Sequence, residues 1–478
     1  MHLDIPQALS TNIFAVNPMM QIRNREQLIK NGKTPIMRKC RALTLQCLEQ
    51  AVNASEPKQL IRGKVKVENN CLQVESCSFD LSKFKNVYVV GGGKAGSKMA
   101  QAIEEILGKR VTAGAINVPY GTRQKTQVIE LNEARHPVPD EAGVRGTSRI
   151  MTIAEQAKET DLLICLLSGG GSSLMPLPRE GISLEDKQTL TNMLLKSGAA
   201  ITEINSVRKH LSAFKGGWLA KKAYPATVIN LVISDVIGDQ LDSIASGPTV
   251  PDTSTFNDAR KILEKYGLWL SAPVSTRKVI LEGERRLLPE TPKAGDIVFE
   301  NVFSVVIGNN RTASTAAVDR LSSKGLNTLL LADLLEGEAR EVGKALTKLA
   351  SEAFVNKGPI SKPLGIVVGG ETTVTVNGKG MGGRNQELAL SAALNLNVSE
   401  EFVIASLSTD GVDGPTDAAG AIVDGYTLKR AEQLGLDPEK YLADNDSYSF
   451  FSKLGDLILT GPTGTNVNDI SMIVTLKD

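Results

Sequence analysis

Glycine, lysine and aspartate recur in this chain where an anionic ligand could be handled. Residues 87–100 read VYVVGGGKAGSKMA, an apolar run entering Gly91-Gly92-Gly93-Lys94-Ala95-Gly96. A G-x-G-x-x-G turn between a strand and a helix can aim backbone N–H groups and a helix N-terminus at a phosphate, which makes Gly91, Gly92, Gly93 and Gly96 candidates for nucleotide binding. The two standard templates fail in detail. A dinucleotide site asks for an acidic residue near the end of the next strand, and that strand ends Asn117-Val118-Pro119-Tyr120-Gly121. A P-loop asks for Gly-Lys-Ser/Thr, and the chain offers Gly96-Ser97-Lys98. Lys94, inside the turn, belongs to neither template, and close packing of strand on helix would also select these glycines.

A second cluster, Ser168-Gly169-Gly170-Gly171-Ser172-Ser173, follows the apolar run Leu163–Leu167. Consecutive glycines allow a nest of N–H donors, and the serine hydroxyls add more, so Ser168, Gly169, Gly170, Gly171 and Ser172 are expected on substrate. None of these serines sits in G-x-S-x-G, which argues against a hydrolase elbow. The stretch from Asn205 to Gly217 puts Arg208, Lys209, Ser212 and Lys215 on one helical face, suited to a phosphorylated ligand or to plain solvation. His210 lacks a nearby carboxylate motif, and His136, in RHPVPD, is expected to orient a loop rather than to move a proton. Asp235 stands just past a strand, placed to bind a divalent ion or accept a hydroxyl proton; Asp239 and Asp242 fit turn hydrogen bonds better. Further on, Arg384 opens a helix after Gly380-Met381-Gly382-Gly383 and could hold a carboxylate or phosphate bidentately. Asp410, after another apolar run, is a second metal or hydroxyl ligand candidate.

Such residues need strand ends to stand on. Val87–Val90, Ala115–Val118, Leu162–Leu167 and Thr227–Ile233 read as strands; Gly96–Leu107, Glu141–Ala157, Leu184–Ser197 and Asn205–Lys222 read as helices, as does Met37–Val52 ahead of them. The alternation predicts a parallel sheet covered on both faces, with ligands at the carboxyl ends of its strands. Residues 251–300 are charged and poor in strands, and 287–295 read as a link or excursion. A second α/β unit is expected from Val302–Ile307, Thr328–Leu331, Gly365–Val368, Thr372–Val376, Phe402–Leu407 and Leu457–Thr460. At 478 residues, two domains are expected. With 54 basic against 53 acidic residues there is no global field to draw nucleic acid or an anionic membrane, so any phosphate must be held locally. Five scattered cysteines form no zinc spacing and read as reduced thiols, and no apolar run approaches the ~18 residues a membrane span needs. A cytoplasmic protein is expected.

The strings GGGKAG, RHPVPD, LLSGGGSSL, INSVRKHLSAFKGG, ISDVIGD with IASGPTVPD, GGETTVTVNGKGMGGRNQE, STDGVDGPTDAAGAIVD and LTGPTGTNVND together resemble the glycerate 2-kinase family with a C-terminal MOFRL domain. The resemblance spans residue 37 to the end. It implies ATP-dependent phosphorylation of D-glycerate at the 2-hydroxyl, giving 2-phospho-D-glycerate and ADP, with Mg²⁺ or a similar divalent ion. It implies a Rossmann-like domain (37–295), a smaller α/β domain (300–478) containing MOFRL, and an active site in the cleft between them. By position it implies Lys94, Arg208, Asp235, Arg384 and Asp410 as site residues: Lys94, Asp235 and Arg384 in catalysis, Arg208 or Arg384 on the glycerate carboxylate, and Asp235 or Asp410 on the metal with the other taking the hydroxyl proton. Ile237 stands where the family usually has proline, and Arg135 where it usually has glycine. The partners implied are glycerate and ATP, with a homodimer left open. Two rivals remain: an NAD(P)H-dependent hydroxypyruvate reductase, which the missing ribose acid argues against, and a sugar-acid-binding protein without turnover.

Overall fold

The computed structural model describes residues 20–355, 362–398 and 401–476. A small antiparallel sheet, β1 (Val65–Glu68), β2 (Cys71–Val74) and β3 (Cys77–Asp80), precedes two six-stranded sheets. The first is made of β4 (Asn86–Gly92), β5 (Val111–Pro119), β6 (Ile129–Ala134), β7 (Asp161–Leu167), β8 (Thr227–Ile233) and β9 (Val302–Gly308). Every pairing in it is parallel, and the order is β6-β5-β4-β7-β8-β9. Successive strands therefore run outward from β4 on one side and from β7 on the other. The reversal leaves a crevice at the carboxyl ends of that central pair, where open α/β sheets take their ligands. All seven residues of β7 are buried, as a strand covered on both faces requires.

The second sheet contains β10 (Asn327–Leu335), β11 (Leu364–Gly370), β12 (Val403–Ser408), β13 (Gly420–Asp424), β14 (Leu457–Ile458) and β15 (Asp469–Thr475), in the order β10-β11-β15-β12-β13-β14. Only β10 and β11 are parallel. The mixed α/β class expected from the alternation is the one observed.

Several elements differ from the reading of the sequence. Val302–Ile307, expected in the second unit, falls within β9 and pairs with β8 as the last strand of the first sheet. Conversely, the helix Pro35–Ala54 packs on the second sheet, where buried Arg41 meets Asp424 at 2.6 Å and Asp456 at 2.9 Å. Thr372–Val376 is β-branched but leaves the sheet; Thr375 N–H donates to the Glu338 carboxylate, and only Thr373 makes an isolated bridge. Asn205–Lys222 is two helices, Ile201–His210 and Trp218–Ala223, separated where Gly216 and Gly217 take positive φ of 58° and 83°. The strand-poor stretch after residue 250 carries helices Phe256–Lys265 and Val274–Glu284, packed with Leu190, Leu194, Ile204 and Val207 into a small core of their own.

Candidate active site

The two glycine turns sit side by side at the carboxyl ends of β4 and β7, which are in register to Gly92 and Leu167. Their hydrogen bonding is opposite in character. In the first turn Gly93 N–H donates to Asn117 O at 3.0 Å, Lys94 N–H to Gly169 O at 2.8 Å, Ala95 N–H to Ser168 Oγ at 3.0 Å and Gly96 N–H to Gly93 O at 3.0 Å. Gly91 and Gly92 belong to β4, flanked on both sides by strands. A Cβ on Gly91 would strike the Leu166 carbonyl, and one on Gly93 would strike Ser168 Oγ. These glycines make room for neighbouring backbone, and the N–H groups from Gly93 to Gly96 are already engaged; those of Ser97 and Lys98, in the first turn of the following helix, find no acceptor among the described residues. In the second turn the N–H groups of Gly169 and Gly170 find no acceptor among the described residues. Ser168 does not join them: its side chain is buried and its oxygen braces the first turn, which corrects its assignment to substrate. Gly171 is likewise buried, against Ala245 and Met175.

The side chains around the open turn come from both sheets. Lys94 reaches out of the closed turn, and its Nζ lies 3.1 Å from Asp410 Oδ2, which follows β12. Asp410 Oδ1 accepts from Ser408 Oγ at 2.9 Å and from Val412 N–H at 3.0 Å, so this carboxylate is fixed on both oxygens. Asp235, just past β8, lies against Gly169 so closely that a Cβ there would strike its carboxyl group. Its Oδ2 accepts from Asn466 Nδ2 at 3.2 Å. Burial raises the Asp235 pKa above the ordinary carboxylate value, against the pull of the Lys94 charge. The His136 ring packs on Gly170, next to the stem of Lys94. Burial first and the Lys94 charge second push it down to about 4, so the imidazole is neutral near pH 7.

Arg384 stands beside this group but is already occupied. Its Nε and Nη2 hold both oxygens of Asp469 at 2.5 and 2.9 Å, and Nη1 meets Glu371 Oε1 at 2.8 Å. A substrate carboxylate would have to displace one of them. The arginine's visible work is to hold buried Asp469 and half-exposed Glu371, both raised by desolvation and opposed by its charge, at the edge of the same cleft.

Arg208 lies apart, on the other side of the loop carrying His136. Its neighbours on the helix are neutralised: Lys209 Nζ lies 3.3 Å from Asp242 and 3.4 Å from Asp252, and His210 Nε2 is 2.8 Å from Glu290. Those two residues are structural. The Arg208 guanidinium has no hydrogen bond or ion pair among the described residues and lines a cavity shared with Ser172 and Lys187. Ser172 Oγ is bonded to Ser246 Oγ at 2.8 Å.

Asn466, Glu371 and Asp469 went unassigned in the sequence reading although all three stand in the quoted strings. Their signal is positional: each flanks a strand end that only the order of the second sheet brings to the cleft. The assembled group, a lysine, two aspartates and unpaired backbone donors, is suited to shielding a transferring phosphoryl group and taking a proton from a hydroxyl.

Comparison with known proteins agrees with this chemistry. A family model described as a domain of unknown function, DUF4147, matches residues 43–281, and the MOFRL family matches residues 364–469. The D-glycerate 2-kinase of Thermotoga maritima is 48% identical over 80% of this chain and 89% of its own. The glycerate 2-kinase of Pyrococcus horikoshii is 44% identical over 91% of this chain and 98% of its own. The crystal structure of the Thermotoga maritima glycerate kinase superposes with a TM-score of 0.81 at 43% identity, over 91% of this chain and 99% of that one. Proteins of Agrobacterium vitis that carry a hydroxypyruvate reductase name also match, the more similar at 43% identity.

Proposed function

This chain belongs to the glycerate 2-kinase family, and on that premise we propose that Lys94, Asp235 and Asp410 form its phosphoryl-transfer centre. The enzyme phosphorylates D-glycerate at the 2-hydroxyl with ATP, giving 2-phospho-D-glycerate and ADP. The observation that carries the assignment of residues is the 3.1 Å contact of Lys94 with Asp410, bridging loops of the two sheets next to Asp235 and the open N–H groups of Gly169 and Gly170.

In this reading the γ-phosphoryl group lies over Gly169 and Gly170, whose donors meet its equatorial oxygens, and Lys94 shields its charge from the 2-hydroxyl. Asp235, with its proton affinity raised by burial, accepts the hydroxyl proton as the O–P bond forms. Arg384 acts as a positioning residue for Asp469 and Glu371. No group of three or more metal-type side chains occurs among the described residues, but Mg²⁺ typically takes only one or two carboxylates together with substrate phosphates. One carboxylate of the pair fits that donor set, and with Asp235 taking the proton it is Asp410 that would hold the ion, which when bound supplies further charge neutralisation on the phosphates.

The reductase alternative gains nothing from the geometry. The first glycine turn has no N–H free for a pyrophosphate, and β5 carries buried Asn117 near its end, bonded to the Gly143 and Leu174 carbonyls, rather than a ribose acid. Two domains, one about each large sheet, are part of the proposal, with helix Pro35–Ala54 grouped with the second and β9 with the first. So are a homodimer and a cytoplasmic location. The latter is supported by five free cysteines; no helix among the described residues is long and apolar enough to cross a membrane.

Phosphorus NMR of the product after incubation with D-glycerate, ATP and Mg²⁺ tests the reaction. The 2-phosphoglycerate signal is expected; 3-phosphoglycerate would overturn the positional assignment. Consumption of NADH with hydroxypyruvate and no phosphorylated product would overturn the activity.

A further inference from the structure

Two buried lysines and a half-buried arginine close to one another have no carboxylate partner among the described residues. Lys215 is fully buried and its Nζ donates to Ser172 O at 2.8 Å. Lys187 is 6% exposed, with Nζ 2.9 Å from Pro176 O. Arg208 makes no polar contact within the described protein. None of the three forms an ion pair, whereas Lys209 and His210 on the same stretch each do. Burying an uncompensated charge is costly, so a buried lysine without a carboxylate either gives up its proton or is balanced by an anion, and two such lysines beside an unpartnered arginine make a place where an anion would be held. Burial and the neighbouring Arg208 charge hold Lys187 down at about 7, which is the mark of an unbalanced cation pair.

The cavity that Lys187 and Arg208 line, with Lys215 buried behind Ser172, has a second character. It measures about 190 Å³, and its far wall is apolar: Pro137, Val138, Leu184, Leu195, Ile201 and Ile204. Val138, Leu195 and Ile201 are 50%, 58% and 60% exposed, a lip of large apolar side chains with nothing covering it. Gln188 and Asn192 stand among them with amide groups for the edge of a ring. An apolar slot with a few polar groups and a cationic end has the makeup of a site for a flat heterocycle bearing a polyphosphate. Glycerate is too small and too polar to use the slot, and its single carboxylate would leave two of the three cations unbalanced. The cavity ends at Ser172, two residues from Gly170 in the open turn, and its upper wall is the loop that begins at His136.

We propose that the phosphate donor of this enzyme binds here, its base in the slot between Val138 and Leu195 and its polyphosphate along Arg208 and Lys187 toward Gly170 and Lys94. This placement rests on the kinase reading. It moves the nucleotide from the first glycine turn, whose N–H groups are engaged internally, to the far side of the second, and it moves Arg208 from glycerate to the nucleotide.

The test is steady-state kinetics with ATP and glycerate varied separately, on wild type, Arg208→Ala and Val138→Trp, joined to calorimetric binding of adenosine alone and of inorganic tripolyphosphate alone. Arg208→Ala is expected to raise the KM for ATP at least about tenfold and to weaken tripolyphosphate, leaving adenosine unchanged. Val138→Trp, at an exposed position where misfolding is not expected, should fill the slot, raising the KM for ATP and weakening adenosine but not tripolyphosphate. The KM for glycerate should stay within about twofold in both, since neither side chain reaches it in this arrangement. Active variants with wild-type KM for ATP would overturn the placement and leave the kinase reading intact. So would an Arg208→Ala enzyme impaired only in its KM for glycerate, which would return the arginine to the acid. Failure of the wild-type protein to turn over ATP with glycerate would sink the reading and the placement together.

Discussion

The two glycine turns at the crevice are nearly the same sequence doing different work. Gly91–Gly96 and Ser168–Ser173 each follow a buried parallel strand, and each supplies three consecutive glycines. In the first, every N–H from Gly93 to Gly96 has a partner inside the protein and the missing Cβ atoms admit neighbouring backbone and Ser168. In the second, two N–H groups find no acceptor among the described residues and the missing Cβ of Gly169 admits the Asp235 carboxyl group. Glycine at a strand end thus marks close approach, and only the accounting of donors tells whether what approaches is the protein itself or a ligand.

If that contrast is right, the only part of the first turn that takes part in chemistry is the Lys94 side chain. Lys94→Ala should lower kcat by about 10³-fold or more with little change in melting temperature, because it removes charge shielding from the transferring group. Near-normal turnover would break the comparison at its strongest point. Exchanging alanine for glycine in each turn comes next. Gly169→Ala should cost about 10²-fold in kcat by displacing Asp235, while Gly93→Ala, at φ 145° and against Ser168, should mainly destabilise the fold, by about 1–3 kcal/mol in chemical denaturation. Equal losses of activity per folded molecule would mean that both turns face the reaction.

Smaller effects sharpen the same contrast. Ser168→Ala leaves the Ala95 N–H without its acceptor and should cost about 1–3 kcal/mol of stability, with kcat per folded enzyme close to wild type. A large kinetic defect would put Ser168 back on substrate. The weakest effect is one of pH. Burial and Arg208 hold Lys187 at about 7 in the free protein, and a bound polyphosphate would favour its charged form and raise that value. ATP affinity should then be full below about pH 7 and fall as pH rises beyond it, by no more than about tenfold per unit. Lys187→Met should flatten that profile.

Much of this was legible in the sequence. The helices Gly96–Leu107 and Leu184–Lys196 and the strands β4, β7 and β8 follow from local periodicity, and local periodicity is what a single sequence records. Lys94, Asp235 and Asp410 were legible because each sits at the end of such a strand. What was not legible depends on distant partners. β15 was missed and β9 was put in the other unit because their neighbours, β11 and β12 for one and β8 for the other, are set by topology. Arg384 looked free because Asp469, its bidentate partner, lies 85 residues away. The first turn looked like a cradle because the acceptors that fill it come from elsewhere, Asn117 from β5 and Ser168 and Gly169 from the loop after β7.

Arg41 gives the chain an order of events. Its helix is made long before the carboxylates that balance its buried charge, Asp424 and Asp456, which lie 383 and 415 residues further on. A nascent chain on the ribosome therefore carries that helix with its apolar face and its guanidinium uncovered while the whole first sheet is synthesised. Contacts closed over such separations form late and slowly, so the half-made protein exposes a sticky surface that only residues roughly four hundred positions later cover.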